Sequence, residues 1–389
     1  MTQTQKVVSE LLQIADITIN GTRPWDIQVK DNRLFKRFLS DGALGFGESY
    51  MEGWWECEHL DQLIERLIRS NMGSYTKKNW KLLYLGLVSK LFNMQSISRK
   101  NHVIDAHYDI GNELYELMLD SQMVYTCGYW REGADNLEHA QKEKMDLICK
   151  KLELKAGMTI LDIGCGWGSF MKYATENYGV KCTGLTISKE QKKLGEKLCQ
   201  GHPIQFILQD YRLQHGVYDR VLSIGMFEHV GYKNYSEYMK MTHRCLKENG
   251  IALLHTIGSN NTVTKANPWV HKYIFPNGMV PSIAQIGVAM EDLFVMEDWH
   301  NFGEDYSNTL LAWNENFQNN WEKLNQLHPK KYTKTFKRMW EFYLLLFAGA
   351  FRARDMQLWQ IVMTKRGKKQ PKISTQRRIL QKTHPIVKV

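Results

Sequence analysis

The chain has 389 residues, of which 43% are hydrophobic and 24% are charged, a balance typical of soluble globular proteins. This length suffices for two domains, or for one large domain with additions. The seven cysteines form no CxxC pair and their number is odd, so the sequence supports neither a zinc finger nor a disulfide framework. With no secretory signal pattern at the start, these features predict a cytoplasmic protein, and no metal site is predicted.

The net charge of +10 is concentrated at one end of the chain. Residues 361–389 contain nine Lys or Arg and no acid, which leaves the rest of the chain close to neutral. We assign residues 366–389 as a basic C-terminal tail. Such a tail is either a disordered, solubilising end or a contact for a polyanion, which would be anionic lipid or nucleic acid.

The first part of the chain is predicted to be a small, mainly helical domain over residues 1–92. Apolar residues recur at helical spacing in SELLQIAD and in LDQLIERLIRS. Residues 77–93 mix lysines with apolar and aromatic side chains, a pattern that fits either a core helix or a helix on a membrane surface. Residues 93–104 are polar and are predicted to be a linker.

Strand-like and helix-like segments alternate from about residue 105 to residue 365. The strand-like runs are MTILDIG, VKCTGL, IQFIL, YDRVLSIG and GIALLHTI, and the segments between the first three have the length of crossover helices. NYSEYMKMTHRCLKENG is predicted to be a helix that ends at Gly250, and MQLWQIVMTKR a final strand. The pattern indicates an α/β fold with a doubly wound, mostly parallel sheet and helices on both faces.

The strongest local motif is ILDIGCGWGSF, residues 160–170, in which three alternating glycines join a strand to a helix. Glycines there allow a sharp turn and a close approach of the backbone to a ligand. The third glycine comes one residue too early for the GxGxxG pattern of nicotinamide-binding proteins. The spacing DxGxGxG instead resembles the nucleotide loop of class I S-adenosylmethionine methyltransferases. It assigns to the cofactor site Asp162, Gly164, Cys165, Gly166 and Gly168.

The turns after the next two strands complete the predicted cofactor site, because ligands bind at the carboxyl ends of parallel strands. Asp210 follows the third strand and could accept a hydrogen bond from the adenine amino group, with Tyr211 beside it. Each assignment has a structural alternative, since Ser188 would also cap the next helix and Asp210 a turn. The turn after the second strand has no acid for the ribose hydroxyls, so neutral groups are predicted to bind them: Leu185, Thr186, Ser188 and Gln191.

Two further strand ends are predicted to lie beside the cofactor's methyl group. Glu228 follows the fourth strand in GMFEHVG, and His255, with Ile257, follows the fifth strand in LLHTIG. One such group alone is commonly structural, whereas two at neighbouring strand ends indicate a reactive site. Cys127 lies earlier, in MVYTCGYW, where the residues alone leave it open as a nucleophile, a ligand or a packing residue.

Seven motifs, in order between residues 106 and 360, resemble those of cyclopropane-fatty-acyl-phospholipid synthases: AHYDIGNELYELMLD, YTCGYW, LDIGCGWGSF, GLTISKEQ, GMFEHVG, LLHTIG and FRARDMQLWQ. The resemblance implies a Rossmann-like class I methyltransferase fold with helical lid insertions. It also implies an enzyme that converts a cis double bond of a phospholipid acyl chain into a cyclopropane ring. Related lipid methyltransferases share the catalytic domain, so a product with a methyl branch or a hydroxyl group is the alternative.

The resemblance further implies S-adenosylmethionine as methyl donor and a bound bicarbonate ion as base. The alkene attacks the sulfonium methyl, and the resulting carbocation requires a pocket that excludes water and offers aromatic faces. Tyr125 and Thr126 would bind S-adenosylmethionine together with the glycine loop. By motif, the residues that would hold bicarbonate are Cys127, Glu228, His255, Tyr306 and the backbone of Ile257. Cys127 is then a neutral hydrogen-bonding group and not a nucleophile.

A homodimer is also implied, as is peripheral binding to the inner face of the membrane, with the N-terminal domain in docking or dimer contacts. Nucleic acid is not a predicted partner, because the Asn/Asp-Pro-Pro-Tyr type of base-methylation motif is absent. Some family members have a cysteine where this chain has Phe347, so a mechanism that needs that cysteine cannot operate here. Arg352, Arg354 and Asp355 are predicted to form a structural ion cluster.

Overall fold

A computed structural model describes residues 1–71, 111–131, 133–264, 267–368 and 370–371. The predicted linker 93–104, the basic–aromatic segment 77–93 and most of the basic tail lie outside these residues. Within the ranges that the structure describes, no helix is both long and apolar enough to cross a bilayer.

Residues 1–71 are mainly helical, as predicted. Helix α1 (Gln3–Ile14) begins with a capping box, in which Thr2 and Gln5 exchange hydrogen bonds between side chain and backbone. Helices α2 (Arg33–Met51) and α3 (Leu60–Arg69) follow, and a short antiparallel ribbon pairs β1 (Gln28–Val29) with β2 (Trp55–Glu56).

A seven-stranded sheet forms the centre of the described part of residues 111–371, in the order β5-β4-β3-β6-β7-β9-β8. The strands β3 to β7 are parallel, whereas β9 is antiparallel to both of its neighbours. From β3 the chain adds β4 and β5 on one side of the sheet and then β6 and β7 on the other. This change of side leaves a crevice at the carboxyl ends of β3 and β6. The strands are β3 (Thr159–Ile163), β4 (Lys181–Thr186), β5 (Ile204–Leu208), β6 (Tyr218–Ile224), β7 (Leu246–Ser259), β8 (Phe294–Asn301) and β9 (Met356–Lys365).

Helices cover both faces of this sheet, which confirms the predicted doubly wound α/β fold. Successive residues of β3 point to opposite sides, so Ile160 packs with α5 and α6 while Leu161 packs with α8 and α10. The helices are α4 (Asn112–Met118), α5 (Leu137–Lys151), α6 (Ser169–Tyr178), α7 (Lys189–Leu198), α8 (Tyr235–Cys245), α9 (Pro268–Tyr273), α10 (Ile283–Met290), α11 (Gly303–Asn319), α12 (Trp321–Leu327) and α13 (Lys334–Arg352).

Two details of the predicted elements are wrong. Helix α8 ends at Cys245 and not at Gly250, because β7 begins at Leu246 and pairs with β6 from there. A Cβ on Gly250 would lie 2.5 Å from a methyl group of Leu246, so close packing explains this glycine. Strand β7 is longer than the predicted run, from Leu246 to Ser259, and His255 lies within it, opposite Ile224 of β6.

The N-terminal helices share one hydrophobic core with α13 and the helices around it. Phe46 of α2 stacks on Trp55, and both belong to the same cluster of buried side chains as Trp340 and Phe342 of α13. Two turns further along α13 from Phe342, a Cβ on Gly349 would lie 2.5 Å from the carbonyl oxygen of Asp61 in α3. Residues 1–71 are therefore packed directly onto the helix that borders the sheet.

Ion pairs near both ends of α13 hold this helix against residues 1–71. Arg352 binds Asp61 at 2.6 Å and Glu65 at 2.5 Å, so its partners are acids of α3. Of the other two residues in the predicted ion cluster, Arg354 has a left-handed backbone (φ 64°) at the turn before β9, and burial raises the pKa of Asp355.

Arg338, near the start of α13, is expected to contribute strongly to stability. Its guanidinium donates to both carboxylate oxygens of Glu56, at 2.9 and 3.1 Å, and to the carbonyl oxygens of Tyr50 and Trp55. Because Arg338→Leu removes these four hydrogen bonds at once, we expect a loss of about 2–4 kcal/mol in the free energy of unfolding by urea titration. The matched change Arg366→Leu breaks an exposed pair and should cost at most about 0.5 kcal/mol. Equal losses in the two variants would contradict this role.

Candidate active site

A cavity of 610 Å³ opens at the carboxyl ends of β3 and its neighbours, where the sheet topology predicts a ligand. Its size suits a cofactor-sized molecule. About half of its polar lining was predicted from the sequence, and the polar residues that the structure adds include Lys144, Ser169 and Gln209. The predicted cofactor residues that line the cavity are Tyr125, Thr126, Asp162, Gly164, Cys165, Gly166, Leu185, Thr186, Gln191, Asp210 and Tyr211.

The three glycines of the loop have different tasks. All have positive φ, which a glycine adopts without strain. The backbone N–H of Gly164 donates to Leu185 at 2.9 Å, which ties this loop to the end of β4. Gly168 lies outside the cavity lining, and a Cβ there would be 2.6 Å from the ring of Phe206. Gly168 therefore serves the packing of α6, whereas Gly164 and Gly166 form the cavity wall.

Ser188 and Asp210 form the capping hydrogen bonds that were the structural alternatives to cofactor contacts. Ser188 Oγ caps α7 by accepting from Gln191 N at 3.2 Å, and Ser188 is not among the lining residues. Asp210 caps the turn Tyr211–Leu213 and binds Arg212 at 2.6 Å, which lowers the pKa of its carboxyl. Asp210 nevertheless lines the cavity as an ionised acceptor, so its cap and a contact with a ligand are compatible.

Asp162 is the more deeply buried of the two acids that line the cavity. Its side chain is buried at the end of β3, and burial raises the pKa of its carboxyl to about 7. Oδ1 has no hydrogen-bond partner among the described residues. A buried carboxylate oxygen without a partner is costly, so this atom fits a cationic N–H donor on a bound molecule.

The segment MVYTCGYW lies against the cavity and is fastened by helix α5. Gln141 Nε2 donates to the carbonyl oxygen of Thr126 at 2.8 Å, and Lys144 Nζ donates to Thr126 Oγ1 at 2.7 Å. Tyr129 N donates to the carbonyl oxygen of Ala140 on the same helix. Sequence analysis did not identify Gln141 and Lys144; their spacing of three residues on a helix was the available signal.

Glu228 follows β6, and His255 lies in the neighbouring strand β7, where it is paired with Ile224 at the end of β6. Glu228 Oε1 accepts from the backbone N–H of Ile257 at 2.6 Å, while Oε2 has no partner among the described residues. Burial raises the pKa of the Glu228 carboxyl to about 7. Burial also holds the pKa of His255 well below its usual range, so this imidazole is neutral.

Gln360 determines how His255 presents its ring. The amide nitrogen of Gln360, in β9, lies 3.3 Å from His255 Nδ1. An amide N–H is a donor, so Nδ1 accepts and the ring proton is assigned to Nε2. Nε2 is buried and has no partner in the described part of the chain. The two neighbouring strands therefore carry, among the described residues, an unpaired donor on His255 and an unpaired acceptor on Glu228.

Cys127 is fully buried, and its thiol donates to the carbonyl oxygen of Gly128 at 3.0 Å. Thr309 Oγ1 is 3.9 Å from the sulfur. Burial, with the nearby charge of Asp305, raises the pKa of this thiol well above its usual range. The group is thus a neutral thiol, and the thiolate that a nucleophile requires is disfavoured.

Aromatic side chains from distant segments enclose the same region. The ring of Tyr306 stacks on Phe351 at 4.6 Å, and the hydroxyl groups of Tyr125 and Tyr343 are 2.8 Å apart. The pKa of Tyr306 is raised by burial and by the neighbouring Tyr343, Cys127 and Glu228. These interactions place Tyr306 close to Cys127 and Glu228, two residues predicted to share its pocket, and they add Tyr343. Phe347, where some relatives have a cysteine, packs against Tyr343 at 5.5 Å.

Comparisons with known proteins show the family to which this chain belongs. Residues 57–361 match the family described as mycolic acid cyclopropane synthetase. The chain is 49% identical over 360 residues to the cyclopropane-fatty-acyl-phospholipid synthase of Escherichia coli (strain K12), which covers 92% of this chain and 93% of that protein. The structure of the cyclopropane synthase MmaA2 from Mycobacterium tuberculosis is similar with a TM-score of 0.62 and 28% identity, over 67% of this chain and 96% of that one.

A second solved structure, the mycolic acid cyclopropane synthase CmaA1 in complex with SAH and CTAB, has a TM-score of 0.60 and 30% identity. It covers 67% of this chain and 96% of its own. The family match extends over most of the chain, and the E. coli relative matches nearly all of it. This chain belongs to the mycolic acid cyclopropane synthetase family and is an S-adenosylmethionine-dependent methyltransferase.

Proposed function

We propose that this enzyme transfers a methylene group from S-adenosylmethionine to the cis double bond of an unsaturated acyl chain in a membrane phospholipid, forming a cyclopropane ring. The observation that carries the proposal is that Glu228 Oε2 and His255 Nε2, at neighbouring strand ends, are both buried and have no partner among the described residues. The 49% identity to a protein named cyclopropane-fatty-acyl-phospholipid synthase supports the substrate class.

The cavity residues fit S-adenosylmethionine, which supplies an electrophilic methyl group when bound. Asp162 Oδ1 would accept from its ammonium group, and Asp210 from its adenine amino group. Thr186 and Gln191, which are hydrogen-bonded to each other at 2.9 Å, would face the ribose. The SAH in the CmaA1 structure supports the same class of ligand in this family.

The aromatic enclosure suits the proposed carbocation. The alkene electrons form a bond to the methyl carbon as its bond to sulfur breaks, which leaves a positive charge on the acyl chain. A proton then leaves the new methyl group and the ring closes. Tyr125 and Tyr306 would stabilise the cation through their ring faces, and the buried walls exclude water that would trap it.

We infer that bicarbonate is the base, and the free donors in the pocket are suited to it. His255 Nε2 is buried and unpaired, and Tyr306 lies within the electrostatic reach of Glu228 and Cys127. Two of the five assigned groups would not donate to bicarbonate directly, because each already has a partner. The Ile257 N–H is bonded to Glu228, and the Cys127 thiol to Gly128. A carboxylate would repel bicarbonate, so Glu228 must share a proton with it, which its raised pKa favours.

The acyl substrate lies in a bilayer, so we propose that the enzyme binds the inner membrane surface peripherally, as a homodimer. The basic tail and residues 77–93, which lie mainly outside the described residues, are the proposed membrane contacts. Their lysines would be attracted to anionic headgroups, and the attraction should weaken with salt.

The proposal is tested with vesicles of unsaturated phospholipid and S-adenosylmethionine carrying a labelled methyl group. We expect acyl chains heavier by one CH2, with a cyclopropane ring by fragmentation in mass spectrometry. A methyl branch or a hydroxylated product would instead indicate the alternative lipid C-methyltransferase. Removing bicarbonate should lower turnover, and bicarbonate but not chloride at equal ionic strength should restore it. Turnover unaffected by bicarbonate would refute its role as base.

Cys127→Ser is expected to retain substantial activity. Serine keeps a neutral hydrogen-bond donor toward Gly128, so only the size of the group changes. We expect kcat within about tenfold of wild type in the vesicle assay, since no covalent bond to the sulfur is proposed. Cys127→Val, which removes the donor, should lose more activity than the serine variant. Complete loss in the serine variant would support a nucleophile after all.

A further inference from the structure

Lys144 places a buried ammonium group in the wall of the cofactor cavity. Only 1% of the residue is exposed, and it reaches the cavity from α5. Within the described residues it forms no ion pair, and its Nζ donates to Thr126 Oγ1 at 2.7 Å. A buried, unpaired lysine is costly to a folded protein, so its position calls for a role.

The bond between Lys144 and Thr126 determines the direction of the threonine hydroxyl. An ammonium group has three N–H donors and no acceptor, so Thr126 Oγ1 must accept from Lys144. The hydroxyl proton of Thr126 is then left to donate elsewhere. Thr126 is held on both sides, because its Cγ2 packs closely against Gly225, 2.7 Å from where a Cβ of that glycine would be, and Gln141 donates to its carbonyl oxygen. Thr126 thus presents a fixed donor at the cavity.

Asp162 adds a group of opposite charge to the lining of the same cavity. Its Oδ1 is buried and without a partner in the described part of the chain. The charge of Lys144 acts on this carboxyl and lowers its pKa, against the larger effect of burial. The cavity therefore offers a cation with a directed hydroxyl donor, at Lys144 and Thr126. It also offers an acceptor for a cation, at Asp162. A zwitterionic amino acid carries the complementary pair of groups.

We propose that Lys144 is a positioning residue that, through Thr126, selects the carboxylate of the amino-acid end of the cofactor, while Asp162 receives its ammonium group. This inference rests on the proposed cofactor site. Lys144 is expected to act on affinity for ligands that carry the carboxylate and to have little effect on ligands that lack it.

The test compares three ligands by calorimetry with the full-length protein: S-adenosylhomocysteine, its decarboxylated analogue, and 5′-methylthioadenosine, which lacks the amino-acid end. For Lys144→Met we expect S-adenosylhomocysteine to bind about 10- to 100-fold more weakly, the strength of a charge-assisted hydrogen bond. The decarboxylated analogue and 5′-methylthioadenosine should bind within about twofold of wild type. Equal weakening of all three ligands, or no weakening of any, would overturn the proposal.

Thr126 provides a second, independent set of variants. Thr126→Val removes the hydroxyl group at nearly constant shape and should reproduce the loss for S-adenosylhomocysteine alone. Thr126→Ser should restore most of the affinity. The double variant Lys144→Met/Thr126→Val should lose little more than either single one, because both act on one hydrogen bond. Additive losses would overturn the proposal. Failure of the wild-type protein to bind any of the ligands would instead refute the cofactor site itself.

Discussion

Glu228→Gln is expected to abolish nearly all ring formation and, at pH 8, to make the folded protein more stable. Glutamine keeps an acceptor for Ile257 N–H, so the local fold should persist. It cannot share a proton with the base, and loss of such a group typically costs about 10²–10⁴-fold in rate. Affinity for S-adenosylhomocysteine should change little, because Glu228 is not among the residues that line the cofactor cavity.

The gain in stability follows from the cost of a buried carboxylate. Burial raises the pKa of Glu228 from its usual 4.5 to about 7, so the folded state holds its proton over a range in which the unfolded state has lost it. Below about pH 4.5 both states are protonated and the substitution has little effect. From about pH 4.5 to 7 the wild type loses stability relative to the glutamine variant, and above pH 7 the difference is constant. We expect a plateau of about 1–3 kcal/mol.

Urea titrations at pH 5 and pH 8, with turnover on vesicles, measure both effects. Glu341→Gln is the matched control, since Glu341 is a half-buried acid whose pKa is also raised by burial but whose carboxylate accepts from Tyr50, in the shared core rather than the active site. Its turnover should stay within about threefold of wild type. A Glu228→Gln enzyme that remains active would refute the assigned role. Destabilisation at pH 8 would show that the carboxylate serves the fold.

The cofactor half of the site was predictable because its signals are local. The acid, the glycines and the turns after β4 and β5 each lie within a few residues of a strand end, and the parallel topology brings those ends together. The sequence could not separate Ser188, which caps a helix, from Gln191, which lines the cavity. Both lie in one turn, and only the direction of each side chain distinguishes them.

The residues that the sequence did not reveal act across long separations. Gln360 reaches His255 because β9 returns antiparallel beside β7, and Tyr343 reaches Tyr125 because α13 packs over the site. Pairings of this kind depend on tertiary packing, which local patterns do not encode. Strand β8 was missed for a related reason: it lies at the edge of the sheet and its side chains are only partly buried, so its apolar pattern is weak.

Gly349→Leu is expected to be among the most destabilising single changes in the described core. A Cβ at this position would already lie 2.5 Å from the carbonyl oxygen of Asp61 and 2.8 Å from Cβ of Ile64, so α3 and α13 would have to separate. Overpacking against backbone has no flexible neighbour to relieve it, and we expect a loss of about 4 kcal/mol or more. The loss is measured by urea titration.

Gly287→Leu is the matched control, because Gly287 lies inside helix α10 and no described neighbour lies within 4 Å of where a Cβ would be. Leucine favours a helix over glycine by about 0.5–1 kcal/mol, so this variant should be equal to or more stable than wild type. Similar losses at both glycines would mean that helix α3 does not press on α13. Opposite effects would identify close helix packing as the reason for Gly349.

The Gly349→Leu variant also tests whether the N-terminal helices affect catalysis. Helix α13 carries Gly349 on the side of α3 and Tyr343 on the side of the active site, where its hydroxyl meets that of Tyr125. A shift of α13 by about 1 Å would displace this pair, and misplacement of that size costs up to about 100-fold in rate. At a temperature where the variant remains folded, we therefore expect kcat to fall while Gly287→Leu stays at the wild-type value. Unchanged kcat in a destabilised Gly349→Leu enzyme would show that residues 1–71 support the fold without setting the geometry of the site.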